Sequence, residues 1–505
     1  MSLVLVYALL VGVLFYFLLS RRGFRGRRLP PGPNPWPLVG NLPHLGSMPH
    51  RNIASLASKY GPLMYLRLGF VDVIVVASAS VVSQFLKTND TNFSSRPPNS
   101  GAKHMAYNYQ DLVFAPYGPR WRLLRKQSHA HLFSAKALDD FKHIREAEVG
   151  VLVTELLKAG NTSAPVRLGQ LLSVCTANAL GRVMLGRRVF TSGDPKGAEF
   201  QNMVIEMMVL AGVFNVGDFV PALEKFDLQG VAKKMKNLHK RFDDFLNIIV
   251  EEHMHVDKEQ HKDLLSTLIS LKNQPGEGNE SLTDTEIKAL LLDLFTAGTD
   301  TSSSTAEWGI AELIKNPNIR VRVQEEIDTV VGRNRLVKDS DLPNLLYLQA
   351  VVKEVFRLHP STPLSLPRQA AESCIINGYE IPKGATILFN LWAIARDRES
   401  WTDPEEFRPE RFLPGGEKPN VDLRGNDFEF IPFGAGRRIC AGMSLGLRMV
   451  QLMFATLVHA YDWELSDGQS PEKLSMDESY GLTLQRAVPL VVHPKPRLAQ
   501  LAYKG

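Results

Sequence analysis

The stretch Phe433-Gly434-Ala435-Gly436-Arg437-Arg438-Ile439-Cys440-Ala441-Gly442 decides how the rest of this chain is interpreted. It places one cysteine in a loop that is punctuated by glycines and rich in arginine, and an apolar helical run from Met443 to about residue 461 follows it. Glycines let a backbone pass close to a flat group without Cβ clashes, and they allow positive φ angles. The free N–H groups at a helix start stabilise a nearby thiolate. The stretch therefore predicts a cysteine that is held as a thiolate.

A thiolate held in this way suits axial ligation of haem iron, whereas an isolated cysteine is more often buried and inert. Here the pattern Phe-x-x-Gly-x-Arg-x-Cys-x-Gly is filled at every position, and it resembles the cysteine-ligand signature of the cytochromes P-450. The resemblance implies haem b as the cofactor, with Cys440 as the iron ligand and with Phe433 and Arg438 beside the haem.

The composition indicates a globular protein and argues against nucleic-acid binding. Hydrophobic residues make up 44% of the chain and charged residues 22%, which is enough to bury a large core. The net charge of +5 is small for 505 residues, and arginines near the N-terminus account for it. Three cysteines are an odd and sparse set, which argues against a disulfide framework.

The first 20 residues predict a transmembrane anchor. Residues 2–20 carry no charge and are almost wholly apolar, and five arginines follow between residues 21 and 28. Positive charge after the span predicts that the body stays on the cytoplasmic side. A cleaved signal peptide is the alternative, but it would need basic residues before the apolar run and a small-residue cleavage site after it.

Residues 21–45 predict a basic, proline-rich hinge, and residues 46–505 a haem-thiolate catalytic domain. The segment 29–37 contains five prolines, which favour a stiff, extended spacer over a helix. A proline-rich recognition motif is the alternative interpretation of this segment. Membrane-anchored P-450 cytochromes resemble this order of anchor, basic patch and hinge, which implies a single-pass endoplasmic reticulum protein that faces the cytosol.

Two stretches before residue 130 predict local structure. Leu63 to Leu68 and Val71 to Ala77 are β-branched, apolar runs on either side of Gly69, which predicts a hairpin. Trp121 and Arg125 lie four residues apart on a predicted helix and share one face. In isolation they would be a packed tryptophan and a surface arginine. They resemble the Trp-x-x-x-Arg of the P-450 family, which implies that they hold a haem propionate.

A long helix with an unusual middle is predicted from Thr283 to about Lys315. Thr283 and Glu286 fit a capping box, and Pro317 follows the apolar pattern. The interior segment Ala297 to Ser304 contains Gly298 and several hydroxyl side chains, which compete for backbone carbonyls. A helix that is locally loosened, with room for water, is one expectation. A small-residue crossing point between helices is the other.

This segment resembles the Ala-Gly-x-Asp-Thr-Ser motif that P-450 cytochromes place over the oxygen side of haem. The resemblance implies that Thr301 and Asp300 relay protons during O–O cleavage. Family members that rearrange peroxides often lack the alcohol, so its presence favours a monooxygenase over an isomerase.

Charged pairs further along resemble the structural frame of the same family. Glu354 and Arg357 lie three residues apart, which is in isolation an ordinary helix-surface pair. The segment 407–412 matches the family's Pro-Glu-Arg-Phe element, which implies that Arg411 joins them in a buried triad. Leu366-Pro367-Arg368 resembles the segment whose arginine meets a haem propionate.

The four motifs follow one another in family order, so the resemblance covers essentially the whole chain. It implies a mainly α-helical P-450 fold with a small β region, and electrons from NADPH through a membrane-bound NADPH–cytochrome P-450 reductase. Four shorter elements, at residues 73–78, 214–221, 415–418 and 421–425, resemble those of plant flavonoid 3′-hydroxylases. The implied reaction is hydroxylation at the 3′ position of the flavonoid B ring in naringenin, dihydrokaempferol, kaempferol or apigenin.

The same resemblance implies which residues line the pocket near the B ring. These are Phe114, Ala297, Thr362, Leu364 and Thr483. Thr483 is similar to the hydroxylated residue of 3′-hydroxylases rather than the small apolar residue common in 3′,5′-hydroxylases. The apolar stretch 203–214 is interpreted as core packing or, by resemblance, as a cover over the substrate entrance.

Three alternatives stay open at this point. The first is a flavonoid 3′,5′-hydroxylase or another plant phenolic P-450 hydroxylase. The second is a haem-thiolate isomerase that needs no reductase, and the third is a non-enzymatic haem-binding or membrane scaffold protein. A complex with other enzymes of the flavonoid pathway is a further open point.

Overall fold

A computed structural model describes residues 28–190, 195–254, 263–273 and 281–504 of the chain. The predicted anchor at residues 1–20 and the arginines up to residue 27 lie outside the described residues. The chain divides into two compact units, each of which is assembled from separate segments. The first unit takes described residues from 28 to 97 together with Phe214–Gln229 and Leu364–Ile394, and the second takes Pro98–Val213, Gly230–Pro363 and the described residues from 395 onward.

The first unit is built on a four-stranded sheet. Its helices are α1 (Pro49–Tyr60), α2 (Ala79–Ser83), α9 (Val216–Phe219) and α15 (Leu391–Ile394), and its strands are β1 (Leu63–Leu68), β2 (Val71–Val76), β4 (Arg368–Gln369), β5 (Cys374–Ile376), β6 (Tyr379–Ile381) and β7 (Thr386–Phe389). The sheet has the order β1-β2-β7-β4, in which β2 pairs with β7 in parallel and the other pairs are antiparallel. The predicted hairpin is confirmed, with Leu63 opposite Val76.

The proline-rich segment is part of the first unit. The Tyr65 N–H donates to the Pro31 carbonyl at 2.9 Å, and Gly40 forms an isolated bridge to Leu68. A Cβ on Gly32 would meet the Tyr65 carbonyl oxygen at 1.9 Å, so only glycine permits this approach. Residues 29–40 therefore pack along the edge of the β1–β2 hairpin. The extended spacer predicted from sequence is attached to the first unit in this way.

The second unit is mainly helical. Its longer helices are α4 (Pro119–Ser128), α6 (Lys142–Asn161), α7 (Leu168–Leu185), α8 (Pro195–Ala211), α10 (Val231–Met254), α11 (Leu264–Asn273), α12 (Asp284–Lys315), α13 (Pro317–Val330), α14 (Leu346–Leu358) and α16 (Met443–Ala460). Two short helices, α3 (Ser100–His104) and α5 (Ala135–Asp140), complete the set. A three-stranded sheet has the order β3-β11-β8, from Val166–Arg167, Val491–Pro496 and Tyr461–Leu465, and β9 (Glu478–Ser479) pairs with β10 (Gln485–Arg486). The expectation of a mainly α-helical fold with a small β region is confirmed.

Helix α12 runs through the core of the second unit. The capping box is present as predicted, with the Glu286 N–H donating to Thr283 Oγ1 at 3.1 Å and Glu286 Oε2 accepting from the Thr283 N–H at 2.9 Å. At about 1.5 Å per residue the helix is roughly 48 Å long. Most of its side chains are buried, so this one element can place several residues along one site.

Two glycines of α12 allow neighbouring helices to approach closely. A Cβ on Gly298 would lie 2.8 Å from a methyl carbon of Leu180 on α7, and one on Gly309 would lie 2.7 Å from the Phe454 ring on α16. Glycine within a helix costs about 1 kcal/mol relative to alanine, and close packing against the neighbouring helix offsets that cost. The structure therefore contains the small-residue crossing point between helices that was one of the two expectations for residues 297–304.

The expectation that α12 is locally loosened is wrong, because the helix is continuous from Asp284 to Lys315. The hydroxyl groups donate back to carbonyl oxygens one turn earlier instead of breaking the ladder. Thr301 Oγ1 donates to the Ala297 carbonyl at 2.8 Å, Ser303 to Thr299 at 2.9 Å and Thr305 to Thr301 at 2.8 Å. A carbonyl oxygen has two lone pairs, so it accepts the side chain and the helical N–H together.

Among the described residues, three segments are long and apolar enough to cross a membrane, namely Leu168–Leu185, Asn202–Phe219 and Met443–Ala460. The first and third are core helices, since 67% and 61% of their residues are buried. Only 33% of the second is buried: Met203, Met207 and Met208 pack inside the second unit, whereas Ile205 and Val209 are exposed, so both interpretations of that stretch stay open.

Candidate active site

The cysteine loop turns twice before it reaches α16. Gly434 and Gly436 have φ angles of 71° and 67°, values that favour glycine. A single 3₁₀ turn, Gly436–Arg438, follows, and the Cys440 N–H then donates to the Phe433 carbonyl at 2.9 Å. This short bond closes the loop and fixes the direction of the cysteine side chain.

The Cys440 thiol lies in the interior of the protein, yet its side chain remains accessible. Protein surrounds it closely enough that burial raises the pKa of the thiol, while the Gly442 N–H and the Arg125 guanidinium lower it. A side chain that is both accessible and surrounded by protein lines an internal space. The loop thus presents sulfur to that space with two groups that favour the thiolate.

Helix α12 exposes a narrow face in the same region. Ala297 is exposed and Thr301 is half-buried, although the helix around them is almost entirely buried. The two helices meet close by, since a Cβ on Gly446 of α16 would lie 3.9 Å from Ser302 Oγ. Ala297 and Thr301 are one turn apart and share one face. Ala297 and Thr301 are therefore the side chains in this part of α12 that a ligand could contact.

Two guanidinium groups accompany the thiol. The Arg438 guanidinium lies 4.4 Å above the Trp121 ring and donates to the Ala115 carbonyl. Burial lowers the pKa of Arg125, and the nearby Cys440 raises it. The Trp121 N–H differs from its expected role, because it donates to the Leu112 carbonyl at 3.1 Å. The two arginines could bind a carboxylate here, and Arg438 stacks on the Trp121 ring.

A model of the family described as Cytochrome P450 matches residues 30–491 of the chain. The chain belongs to the cytochrome P450 family. Membership makes it a haem-thiolate protein that receives electrons derived from NADPH, and its residues fit that group on their own geometry. The accessible Cys440 thiol could ligate the iron, the exposed face of α12 could lie against the haem, and the Arg125 and Arg438 guanidinium groups could bind its carboxylates.

Curated relatives match this P450 over almost its whole length. It is 68% identical to a flavonoid 3′-monooxygenase of Petunia hybrida, over 98% of this chain and 99% of the relative. It is 65% identical to a flavonoid 3′-monooxygenase of Arabidopsis thaliana, over 99% of this chain and 98% of the relative. A flavonoid 3′,5′-hydroxylase of Crocosmia x crocosmiiflora is 53% identical, over 98% and 96%.

Asp300 of this P450 is held by two side chains from the segment before and within β10. Thr483 Oγ1 donates to one carboxylate oxygen, and Gln485 Nε2 donates to the other at 2.7 Å. Burial raises the pKa of Asp300, and these two hydrogen bonds lower it. A carboxyl group with a raised pKa keeps its proton closer to neutral pH, which suits a proton donor.

The geometry differs from the expectation that Thr483 lines the substrate pocket. Its side chain is only 3% exposed, and its hydroxyl is committed to Asp300. Sequence reasoning missed Gln485, which completes the clamp on the carboxylate. No local signal identifies this partner, because it lies 185 residues away in the chain.

The charged frame behind the cysteine loop is fully buried. Glu354 accepts from Arg357 at 2.8 and 2.9 Å and from Arg411 at 3.1 Å, and all three side chains are 0% exposed. Arg357 also donates to the carbonyl oxygens of Ala395 and Pro404, both at 2.7 Å. The Phe433 ring packs edge-on against Phe356 of α14 at 5.1 Å, so the helix that carries the pair also supports the cysteine loop.

Glu417 is a fourth member of this network that sequence reasoning did not assign. It accepts from Arg411 at 2.9 Å, from Arg408 at 3.1 Å and from the Thr402 N–H at 2.9 Å. A Cβ on Gly416 would lie 2.1 Å from the Glu410 carbonyl oxygen, so glycine is required for the turn that delivers Glu417. The Gly-Gly-Glu-Lys element at residues 415–418 therefore has a structural role, because it brings Glu417 into the buried ionic network.

The remaining site residues of the sequence prediction fall in both units. Phe114 and Thr362 are half-buried in the second unit, where the neighbouring Ser361 hydroxyl lies 3.2 Å from that of Thr305 on α12. Leu364 and Arg368 belong to the first unit. Leu364 is buried, and Arg368 forms a buried ion pair with Asp90 at 3.3 Å, where burial lowers its pKa to about 10.

Proposed function

We propose that this P450 is a flavonoid 3′-monooxygenase that hydroxylates the B ring at the 3′ position. The observation that carries the assignment is its identity of 68% and 65%, over nearly whole chains, to two enzymes of that name. The site supports monooxygenation, because a carboxyl and an alcohol, Asp300 and Thr301, follow each other on the helix that faces the cysteine loop. The relative named as a 3′,5′-hydroxylase is less similar, at 53%.

Cys440 would ligate the haem iron, and Arg125 and Arg438 would hold the propionates. When bound, the haem supplies O₂ activation with electrons from NADPH through a flavoprotein reductase, so that one oxygen atom enters the substrate and the other leaves as water. Phe433 packs against Phe356 and supports the loop, and the Gly442 N–H lowers the pKa of the Cys440 thiol against the larger effect of burial, which raises it. The basic patch and apolar leader at residues 1–28 support an endoplasmic reticulum location with a cytosolic catalytic body.

Thr301 and Asp300 would supply protons. The Thr301 hydroxyl lies on the open face of α12, and its hydrogen bond to the Ala297 carbonyl leaves its oxygen lone pairs available to accept. Asp300 is oriented by Thr483 and Gln485, and burial raises its pKa while these two hydrogen bonds lower it. Thr301 would be the group beside the substrate, and Asp300 would return a proton to the Thr301 hydroxyl after each transfer.

Substrate turnover tests the assignment directly. Microsomes that contain the protein and a reductase, supplied with naringenin and NADPH, are expected to form eriodictyol as the sole hydroxylated product. A trihydroxylated B ring would replace the assignment with 3′,5′-hydroxylation. Absence of turnover by protein that binds haem would reject a flavonoid hydroxylase altogether. The same assay with dihydrokaempferol, kaempferol and apigenin ranks the substrate class.

Replacing Thr301 with alanine is expected to uncouple electron consumption from product. The variant lacks the alcohol that delivers protons, so the product formed per NADPH consumed should fall by about tenfold or more, with NADPH consumption largely retained. Product and NADPH are measured in the same reaction. Thr301→Ser keeps the hydroxyl and is expected to restore most of the coupling. Unchanged coupling in the alanine variant would rule out the relay.

A further inference from the structure

A small cavity lies beside Asp300, where α12 packs against α7 and α8. Its volume is about 10 Å³, which is space for roughly one water molecule. Its polar lining consists of Ser173 on α7 with Thr299 and Asp300 on α12, and the remaining lining side chains are apolar. All of the lining residues belong to the second unit. A water molecule in this cavity therefore has side-chain partners only along the wall that these three residues form.

The cavity lies on the opposite side of α12 from the open face of Ala297 and Thr301. Successive residues of an α-helix are rotated by about 100° around its axis, so Thr299 is roughly 160° away from both residues of that face. Asp300 comes between Thr299 and Thr301 in this rotation. It is therefore the residue that separates the cavity side of the helix from the Thr301 side.

The Thr299 hydroxyl differs from its neighbours on α12. Thr296, Thr301, Ser303 and Thr305 each donate to the carbonyl oxygen four residues earlier. Thr299 Oγ1 has no hydrogen-bond partner among the described residues, although the side chain is only 4% exposed. Leaving a buried hydroxyl unpaired costs free energy, and a water molecule in the adjoining cavity would satisfy it.

Ser173 supplies a second partner for such a water molecule. Its hydroxyl donates to Ser303 Oγ at 3.1 Å, which leaves the lone pairs of Ser173 Oγ available to accept from water. The Thr299 hydroxyl can both donate and accept, and Asp300 lines the same cavity. A buried water molecule usually makes about three hydrogen bonds, and these three residues provide that number.

Asp300 needs a source of protons if it supplies them to Thr301. Its side chain is buried, and its two carboxylate oxygens accept from Thr483 and Gln485. The Gln485 amide has no titratable proton, and the Thr483 hydroxyl is already committed to the carboxylate. The cavity offers a path to solvent, because Ile205, which lines it, is exposed at the protein surface.

We propose that Thr299 and Ser173 hold a water molecule beside Asp300, and that this water returns a proton to the Asp300 carboxylate after each transfer to Thr301. The role rests on the proposed function, since it serves the proton relay of the hydroxylase. One O–H bond of the water breaks as the O–H bond of the carboxyl forms, the water regains a proton from solvent, and no electrons move. Thr299 is a positioning residue, because it binds the water and lies on the side of α12 away from the substrate.

A crystal structure of the full-length wild-type protein tests the site without reference to activity. At a resolution that shows other buried waters, electron density for a water molecule is expected about 2.7–3.2 Å from Thr299 Oγ1, with a second contact to Ser173 or Asp300. Thr299→Val has nearly the same shape but no hydroxyl, so its structure should lack this density. Absence of the water in the wild-type protein would overturn the proposal even if the valine variant fails to fold, and so would an unchanged water in the variant.

The kinetics of Thr299→Val test the role in proton supply. Product formed per NADPH consumed should fall by about threefold to tenfold, and the slowing of product formation in D₂O should be about twofold larger than in wild type, because return of a proton to Asp300 becomes limiting. KM for naringenin and the substrate-induced Soret shift should stay within about twofold of wild type, since the cavity lies on the other side of α12. Thr299→Ser keeps the hydroxyl and is expected to restore both the coupling and the isotope effect. Wild-type coupling in the valine variant, or a serine variant as impaired as the valine variant, would refute the role.

Thr296→Val is the matched control. Thr296 is also a buried threonine of α12, but its hydroxyl donates to the Leu292 carbonyl at 2.7 Å and does not line the cavity. Its replacement is expected to leave the coupling and the isotope effect unchanged, and an effect equal to that of Thr299→Val would reject a specific role for Thr299. If wild-type protein hydroxylates no flavonoid, the proposed function fails, and the electron density at Thr299 still decides whether the water site exists.

Discussion

Replacing Cys440 with serine is expected to abolish hydroxylation and the Soret band of a thiolate-ligated ferrous carbonyl complex. Burial raises the pKa of the Cys440 thiol, and the Gly442 N–H and the Arg125 guanidinium lower it, whereas a serine hydroxyl in the same place stays protonated. A neutral hydroxyl cannot push electron density onto the iron in the way that favours O–O cleavage. The carbon monoxide difference spectrum of the reduced protein, together with product formation from naringenin, measures the effect.

Cys374→Ser is the matched control for this experiment. Cys374 is half-buried in β5 of the first unit, and burial raises the pKa of its thiol. Its replacement is expected to leave the spectrum and the hydroxylation rate unchanged. If the Cys440 variant kept the thiolate band while folded and loaded with haem, the ligand would be another residue, and the assignment of the cysteine loop would be wrong.

Replacing Arg357 with leucine is expected to destabilise the protein by about 3–5 kcal/mol, because it leaves Glu354 buried with one cation fewer. The Arg357 side chain is 0% exposed, and its guanidinium also satisfies the Ala395 and Pro404 carbonyl oxygens. The expected result is a lower denaturant midpoint, measured by loss of the Soret band in wild type and variant side by side. Weaker retention of haem should accompany it, since the same helix supports Phe433 through Phe356.

Lys158→Ala provides a control with the same sequence spacing. Lys158 pairs with Glu155 at 2.8 Å in an (i, i+3) arrangement like that of Glu354 and Arg357, but the two side chains are 67% and 39% exposed. An exposed pair contributes about 0–1 kcal/mol. Similar losses in both variants would mean that burial does not determine the contribution of the buried pair.

The Glu155–Lys158 and Glu354–Arg357 pairs differ in a way that sequence spacing cannot predict. Spacing alone gives Glu155–Lys158 and Glu354–Arg357 the same interpretation, and only the resemblance to the P450 family separates them. In the structure the difference is physical, because Arg411 and the carbonyl oxygens around Arg357 surround one pair and water surrounds the other. Burial depends on segments that are distant in the chain, so local spacing cannot predict it.

The features that the sequence by itself determined are local ones. The glycine-rich turn before Cys440, the capping box at Thr283 and the β1–β2 hairpin depend on φ preferences, side-chain reach and alternation over a few residues. Their bounds could be predicted closely for this reason. The haem-thiolate chemistry also followed, since a complete ten-residue motif carries both the ligand and the backbone that presents it.

Tertiary structure decided what the polar residues inside the protein do. Thr483 was assigned to the substrate from its place in the chain, yet it donates to Asp300, 183 residues away. Gly298 serves the approach of α7 rather than an opening in α12. A buried donor or acceptor takes whichever partner the fold brings within reach, because leaving it unpaired costs free energy. That partner is set by the packing of distant segments, which no short stretch of sequence encodes.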